Sequence, residues 1–187
     1  LMKNIKYFFQ FLIIIFLFIF FKIVGFKISS KVSSHIMYFF GPFFRSNKLA
    51  ENNIKKALPK SSYYERKKIL KNMWFNYGKI FSEYMFIKKF RNSKKFSKRI
   101  FIQNREALEK IKRNNEPVIF ISGHFNNFEL MAMCLDKSGI DLAAVYRPLN
   151  NPFLNPLMEK IRKNYICNNQ IKKGISGTKQ LLKKFKN

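Results

Sequence analysis

The sequence predicts an α/β protein: an N-terminal transmembrane helix, a helical region, then the βαβ core of a partly parallel sheet flanked by helices. Three observations carry that expectation. Residues 7–26 form an almost unbroken apolar run. Apolar side chains then recur at three- and four-residue spacing from Ile69 to Met85, the period of an amphipathic helix. Finally, two short apolar runs, VIFI at 118–121 and LAAVY at 142–146, bracket a helical pattern, the signature of a parallel pair with a crossover.

The first element is YFFQFLIIIFLFIFF at Tyr7–Phe21, broken only by Gln10 and extended past Lys22 by Ile23–Phe26. Twenty helical residues reach about 30 Å, the thickness of a bilayer core. A cleaved signal peptide is the rival reading, but the flank KIVGFKISSKVSSH lacks the small-residue pattern that cleavage requires. The sequence therefore reads as an anchor over residues 1–27 and a body over residues 28–187. Lys22, Lys27 and Lys31 follow the span, and Lys3 and Lys6 precede it. The basic body then puts the bulk of the chain on the cytoplasmic side.

A second apolar patch, IMYFFGPFF at Ile36–Phe44, is too short to span. Gly41-Pro42 is expected to break it. Dipping into the membrane interface and packing on the body are equally open, and His35 beside it reads as an ordinary surface residue. Asn47–Leu58 reads as a short helix closed by Pro59. Ser62 and Glu65 have capping-box spacing and open a long amphipathic helix to about Phe86. Ile87–Arg99 reads as loop plus short helix, and Arg105–Asn114 as a helix ended by Asn115-Glu116-Pro117. Asn126 or Asn127 is placed to cap the next helix, which Ser138-Gly139 stops. A further strand is possible at Tyr165–Ile171.

Composition narrows the function. The 187 residues carry 37 Lys and Arg against 10 Asp and Glu, a net charge of +27. Such a surface attracts phosphates, anionic lipids and acidic proteins. The 47% apolar content excludes a disordered basic tail, and no basic stretch has a nucleic-acid-binding pattern. Phe, Ile, Lys and Asn are all abundant, as an AT-rich coding sequence would make them, so not all of the charge reads as function. The two cysteines, Cys134 and Cys167, have no CxxC spacing and no nearby histidine, so neither a zinc site nor a disulfide framework is indicated.

The chemistry concentrates in SGHFNNFEL at Ser122–Leu130. His124 lies beyond the first predicted strand and Arg147 beyond the second, and ligands of parallel sheets bind beyond the carboxyl ends of strands. Imidazole takes a proton from a hydroxyl near neutral pH, and a carboxylate partner, Glu129, would fix its tautomer. No serine or cysteine nucleophile occupies an elbow motif, so the base would act on a substrate hydroxyl. A hydroxyl attacking a thioester or ester is acyl transfer. Arg147 suits a phosphate or carboxylate. Alone the His-x4-Glu spacing is weak, arising by chance about one time in ten in a chain of this composition. The bland alternative is a strand-end histidine and a solvated glutamate.

Taken together, ISGHFNNFEL and the later AAVYRPLNNPFLNPLMEKIRKNY resemble the bacterial lipid A late acyltransferases, the lauroyl and myristoyl transferases within the lysophospholipid-acyltransferase-like group. The family's G-H-F-G-N-W-E box maps onto Gly123–Glu129, and its V-Y-R-P-x-x-N-P box onto Val145–Pro152. The anchor and NNIKKALP at Asn52–Pro59 match its layout as well. The resemblance implies transfer of a fatty acyl group from acyl carrier protein to a hydroxyl of a lipid A precursor at the bacterial inner membrane. His124 would be the general base and Glu129 its partner, with Arg147, Asn127, Asn150 and Asn151 as substrate-binding candidates. It implies no metal and no cofactor beyond the carrier-protein thioester, and no nucleic-acid partner.

Two positions depart from the family pattern. Asn126 stands in place of glycine, and asparagine tolerates positive φ better than most residues. Phe128 stands in place of tryptophan, keeping an aromatic face without the indole donor. The resemblance further implies a sheet that continues past GTKQLLKKFKN, so the chain reads as the N-terminal portion of an incomplete acyltransferase fold, with Met2 as initiator. Two other functions fit the same sequence: acyl transfer to another glycolipid or lysophospholipid, and an inactive truncated membrane-bound basic protein.

Overall fold

The structure is a computed structural model that describes residues 2–114 and 117–186. The chain divides into two compact units, residues 17–86 and residues 1–16 with 87–187. The first helix, α1 (Met2–Phe44), begins in one and continues into the other. It is long and apolar enough to cross a membrane. Gly25 interrupts it at φ 81° and ψ 169°, a conformation open essentially to glycine alone, so α1 is two helical rods. The expected break at Gly41-Pro42 does not occur. The helix runs to Phe44 with Pro42 inside its last turn. Proline removes its own N–H bond and crowds the carbonyl four residues back, yet the helix continues past it, with the Gly41 carbonyl accepting Arg45 N at 3.1 Å.

The unit of residues 17–86 is helical. It adds α2 (Asn47–Ala57), α3 (Tyr63–Glu83) and a 3₁₀ turn at Tyr84–Phe86. The Ser46 hydroxyl caps α2 at Leu49 N, and Leu58 closes it ahead of Pro59. The Ser62–Glu65 capping box forms as expected: Glu65 N donates to Ser62 Oγ at 3.2 Å and Ser62 N to Glu65 Oε2 at 2.7 Å. Together these satisfy two of the otherwise unpaired N-terminal N–H groups.

Small residues set the approach of α3 to α1. A Cβ on Gly78 would lie 2.2 Å from Ser33 O, and the Ser33 hydroxyl donates to Gly78 O at 2.7 Å. Phe18 and Phe21 meet Phe81 at 5.2 and 6.1 Å, and Trp74, buried, donates through Nε1 to Asn47 Oδ1 at 2.7 Å. His35 sits at the surface with Nδ1 2.8 Å from Lys31 O.

The other unit is mixed α/β. After α4 (Ile87–Asn92), α5 (Lys94–Ser97) and α6 (Arg105–Asn114) come α7 (Glu129–Lys137), β1 (Ala143–Tyr146), α8 (Leu154–Tyr165), β2 (Asn169–Lys172) and α9 (Ile175–Lys186). The expected stop of α6 at Asn115-Glu116 lies outside the described residues. β1 and β2 pair in parallel, from Ala143 with Asn169 to Tyr146 with Lys172. Parallel strands need a crossover, and α8 provides it. The core gathers Ile87, Phe90, Met133, Leu154, Met158 and Ile171. Arg91 ties α4 to α7 and to the chain after α8: Nη2 reaches Asp136 Oδ2 at 2.7 Å and Nη1 donates to Ile166 O at 3.2 Å.

The expected βαβ unit is therefore shifted along the chain. It runs from β1 through α8 to β2, where the sequence suggested only a possible strand, and not from Val118 to Tyr146. Val118–Ile121 forms no strand. Its side chains stand out, Ile119 73% and Ile121 93% exposed. An extended run becomes a strand only through a ladder with a neighbour. Among the described residues none lies alongside, and Pro117 enters the run without an N–H to donate.

Candidate active site

His124 lies in the irregular stretch that leads from Val118 to α7, and its imidazole is exposed. The ring rests against Phe128, the aromatic residue of the box, with centroids 4.2 Å apart. Gly123 belongs to the same turn, where a Cβ would lie 2.5 Å from the Phe125 ring. Asn126 adopts φ 48°, the positive angle that its substitution for glycine leads one to expect, and this turn delivers the chain into α7. Phe128 N and Leu130 N bond back to the Asn126 and Asn127 carbonyls, both at 3.1 Å. Asn127 itself is buried. The helix proper starts at Glu129, with no side-chain cap on it, so capping by Asn126 or Asn127 is not how this helix begins.

Glu129 is buried, 6% exposed, in the first turn of α7. That position favours a carboxylate, because unpaired N–H groups and the helix dipole point toward it. Its Oε1 receives Arg162 Nε at 2.8 Å and Arg162 Nη2 at 2.7 Å. Arg162 is the member of this cluster that sequence reasoning missed. A buried carboxylate needs a compensating charge, and α8 brings the guanidinium to it.

The pair is part of a larger cluster. The Arg162 guanidinium lies 5.5 Å over the Tyr146 ring. The Tyr146 hydroxyl donates to Glu159 Oε1 at 2.7 Å, Asn155 Nδ2 donates to the same oxygen at 2.8 Å, and Lys172 Nζ pairs with it at 3.1 Å. Donation from Tyr146 above all, with Asn155 and Lys172 adding, holds the Glu159 carboxyl down to about 2. Burial, then the neighbouring carboxylate, pushes the Tyr146 phenol up to about 12.

The remaining candidates follow β1. Arg147 leaves its carboxyl end and is exposed, as is Asn150. The loop between them is braced by Leu149 N donating to Asn155 Oδ1 at 2.8 Å. Asn151 is buried. Its Oδ1 accepts Phe153 N and Leu154 N at 3.0 and 3.1 Å, at the head of α8, and its Nδ2 donates to Tyr7 O in α1 at 2.8 Å. Phe8 and Phe11 of α1 add ring contacts to Phe153 at 5.6 and 6.3 Å. The structure thus engages Asn151 in the frame and leaves Arg147 and Asn150 open to solvent.

Neither cysteine is disulfide-bonded. Burial raises both thiols above their usual range, which disfavours the reactive thiolate. Among the described residues no three His, Cys, Asp or Glu side chains are grouped to hold a metal ion.

An exposed histidine thus lies five residues before a buried, arginine-held carboxylate, in a chain whose first helix is long and apolar enough to cross a membrane. The family model for bacterial lipid A biosynthesis acyltransferases matches residues 1–187. The chain belongs to that family. Over 122 residues, 65% of the chain, it is 30% identical to lipid A biosynthesis acyltransferase 2 of Shigella flexneri, covering 38% of that protein. It is 27% identical over 120 residues to lipid A biosynthesis myristoyltransferase of Escherichia coli, covering 37% of it. The chain thus spans well under half the length of the curated relatives it matches. No solved structure matches it.

Proposed function

We propose that this protein transfers a fatty acyl group from acyl carrier protein to a hydroxyl of a lipid A precursor. His124 is the general base: it removes the hydroxyl proton as the oxygen attacks the thioester carbonyl carbon. The carbon–sulfur bond then breaks, the imidazolium returns its proton to the departing thiolate, and an ester and free carrier thiol result. Glu129 stabilises the imidazolium. Arg147 binds phosphate, with Asn127, Asn150 and Asn151 contributing to the substrate site. No metal and no further cofactor takes part. A net charge of +27 suits both an acidic carrier and a phosphorylated acceptor. The protein lies in the bacterial inner membrane as a single-pass protein with its body in the cytoplasm.

The observation that supports this reading is the contrast within one box: an exposed His124 and, at the next helix start, a buried Glu129 paired with the Arg162 guanidinium. The test is acyl transfer from labelled acyl carrier protein to a lipid A precursor in reconstituted membranes. His124→Ala is expected to lower the rate by about 10²–10⁴-fold while leaving folding intact, because the ring is exposed. A wild-type rate for His124→Ala overturns the dyad, and no transfer by the wild-type chain overturns the activity.

A further inference from the structure

Beyond Gly25, α1 presents two unlike faces. One packs on α3: Tyr38 stacks on Phe75 at 5.0 Å, and Gly41 lies so close to Trp74 that a Cβ would be 2.2 Å from the indole. The other carries Phe39, Phe40, Phe43 and Phe44, exposed by 63%, 56%, 85% and 72%. Four open phenylalanines within six residues make a contiguous patch of the kind that marks an interaction surface.

Phe39 also belongs to a cleft of about 560 Å³ floored by Tyr38, Pro42 and Trp74 and edged by Lys67, Lys68 and Lys71. Lys67 is engaged by Glu51 at 3.0 Å. Among the described residues Lys68 and Lys71 have no carboxylate partner, and Lys71 Nζ sits 5.7 Å over Tyr38 and 5.8 Å over Phe75. Residues 17–86 hold thirteen basic side chains against three acidic ones. The partner must therefore offer hydrocarbon for the phenylalanines and negative charge, side by side, for the lysines. An anionic lipid surface does both, since aromatic rings settle at the head-group level and lysines are drawn to anionic lipid phosphates. A soluble anion would satisfy only the lysines, and a zwitterionic bilayer only the rings.

We infer that the Phe39–Phe44 face and the Lys68–Lys71 edge of α3 form a docking surface for anionic phospholipid. The phenylalanines enter the acyl boundary while the two ammonium groups hold head-group phosphates over the aromatic cleft. This surface is independent of the acyl-transfer reading and remains in a catalytically inactive variant.

Trp74 is the sole tryptophan and lines the cleft, so its fluorescence reports on this surface alone. The full chain is reconstituted in phosphatidylcholine vesicles containing a minority of phosphatidylglycerol, with a brominated quencher on one lipid or the other at equal density. Quenching is expected to be stronger when the label is on phosphatidylglycerol, and to weaken with added salt. Lys68→Glu with Lys71→Glu should remove the preference, each lysine contributing about a fivefold bias, and circular dichroism confirms that the helices remain. Phe39→Ser with Phe43→Ser should reduce quenching by either label. Equal quenching by the two labels in the wild type, quenching by neither, or a preference that survives the double lysine change overturns the proposal.

Discussion

Arg162 places two guanidinium nitrogens on one oxygen of Glu129, Nε at 2.8 Å and Nη2 at 2.7 Å, bridging α8 and α7 across 33 residues of sequence. Both side chains are nearly closed to solvent, 12% and 8% exposed, so water does little to screen the pair.

Removing one partner from such a pair costs far more than removing both. Arg162→Ala is expected to destabilise the protein by about 3–5 kcal/mol, because it removes the counter-charge paired with a buried carboxylate. Arg162→Lys keeps the charge but loses the planar fork and should fall between wild type and Ala. Adding Glu129→Ala to Arg162→Ala should cost less than the sum of the two singles. Chemical denaturation of the detergent-solubilised protein measures all four.

Asn151 performs two separable tasks, heading α8 through its oxygen and reaching Tyr7 O through its nitrogen. Asn151→Asp keeps the acceptor and loses the donor, and should cost about 1 kcal/mol. Asn151→Ala loses both and should cost about 2 kcal/mol. If the two variants melt together, the bond to Tyr7 contributes all of the stability.

The Glu159 carboxyl is held near 2 against an ordinary 4.5, so its contribution to stability is complete above the ordinary value and is lost as pH falls toward 2. The Tyr146 phenol, raised to about 12 from 10, works in the opposite sense. Its contribution is complete below pH 10 and is lost as pH rises through 12. Glu159→Gln should flatten the acid limb of a melting-temperature profile and cost about 1–2 kcal/mol at neutral pH. An unchanged acid limb would assign it to other carboxylates.

Gly78 sits where α3 touches the Ser33 carbonyl and the Ser34 Cα, 2.2 and 2.5 Å from a Cβ built on it. Both neighbours are backbone and cannot rotate away. Gly78→Ala should therefore destabilise by about 1–3 kcal/mol through overpacking, despite the better helix propensity of alanine. A rise in melting temperature would show that propensity outweighs the contact.

Features encoded within a few residues were legible in the sequence. The Ser62–Glu65 box, the stop of α2 before Pro59 and the glycine turn after α7, where Gly139 has φ 90°, all follow from local hydrogen bonding and backbone sterics. Features that depend on a partner far along the chain were not. Val118–Ile121 has strand composition, yet a strand is made by its neighbour. β1 instead paired with Asn169–Lys172, a polar stretch that announces itself weakly. The site divides in the same way. His124 and Glu129 stand out as candidates because they share one box, whereas Arg162 belongs to the amphipathic pattern of α8, and nothing local marks it as the counter-ion of a residue on α7. Asn151 is a substrate-binding candidate through the family resemblance alone, and only the fold shows the bonds it makes within the chain.

The φ of 48° at Asn126 bears on how kinship is detected. What the turn before α7 demands is a torsion sign, and glycine is only the commonest letter that supplies it. A pattern written with an obligatory glycine there would pass over chains that meet the same demand with asparagine, while one written for either residue would still reject valine or isoleucine, for which positive φ is strongly disfavoured. Distant members of this family are therefore better recognised by the geometry their residues permit than by the letters themselves.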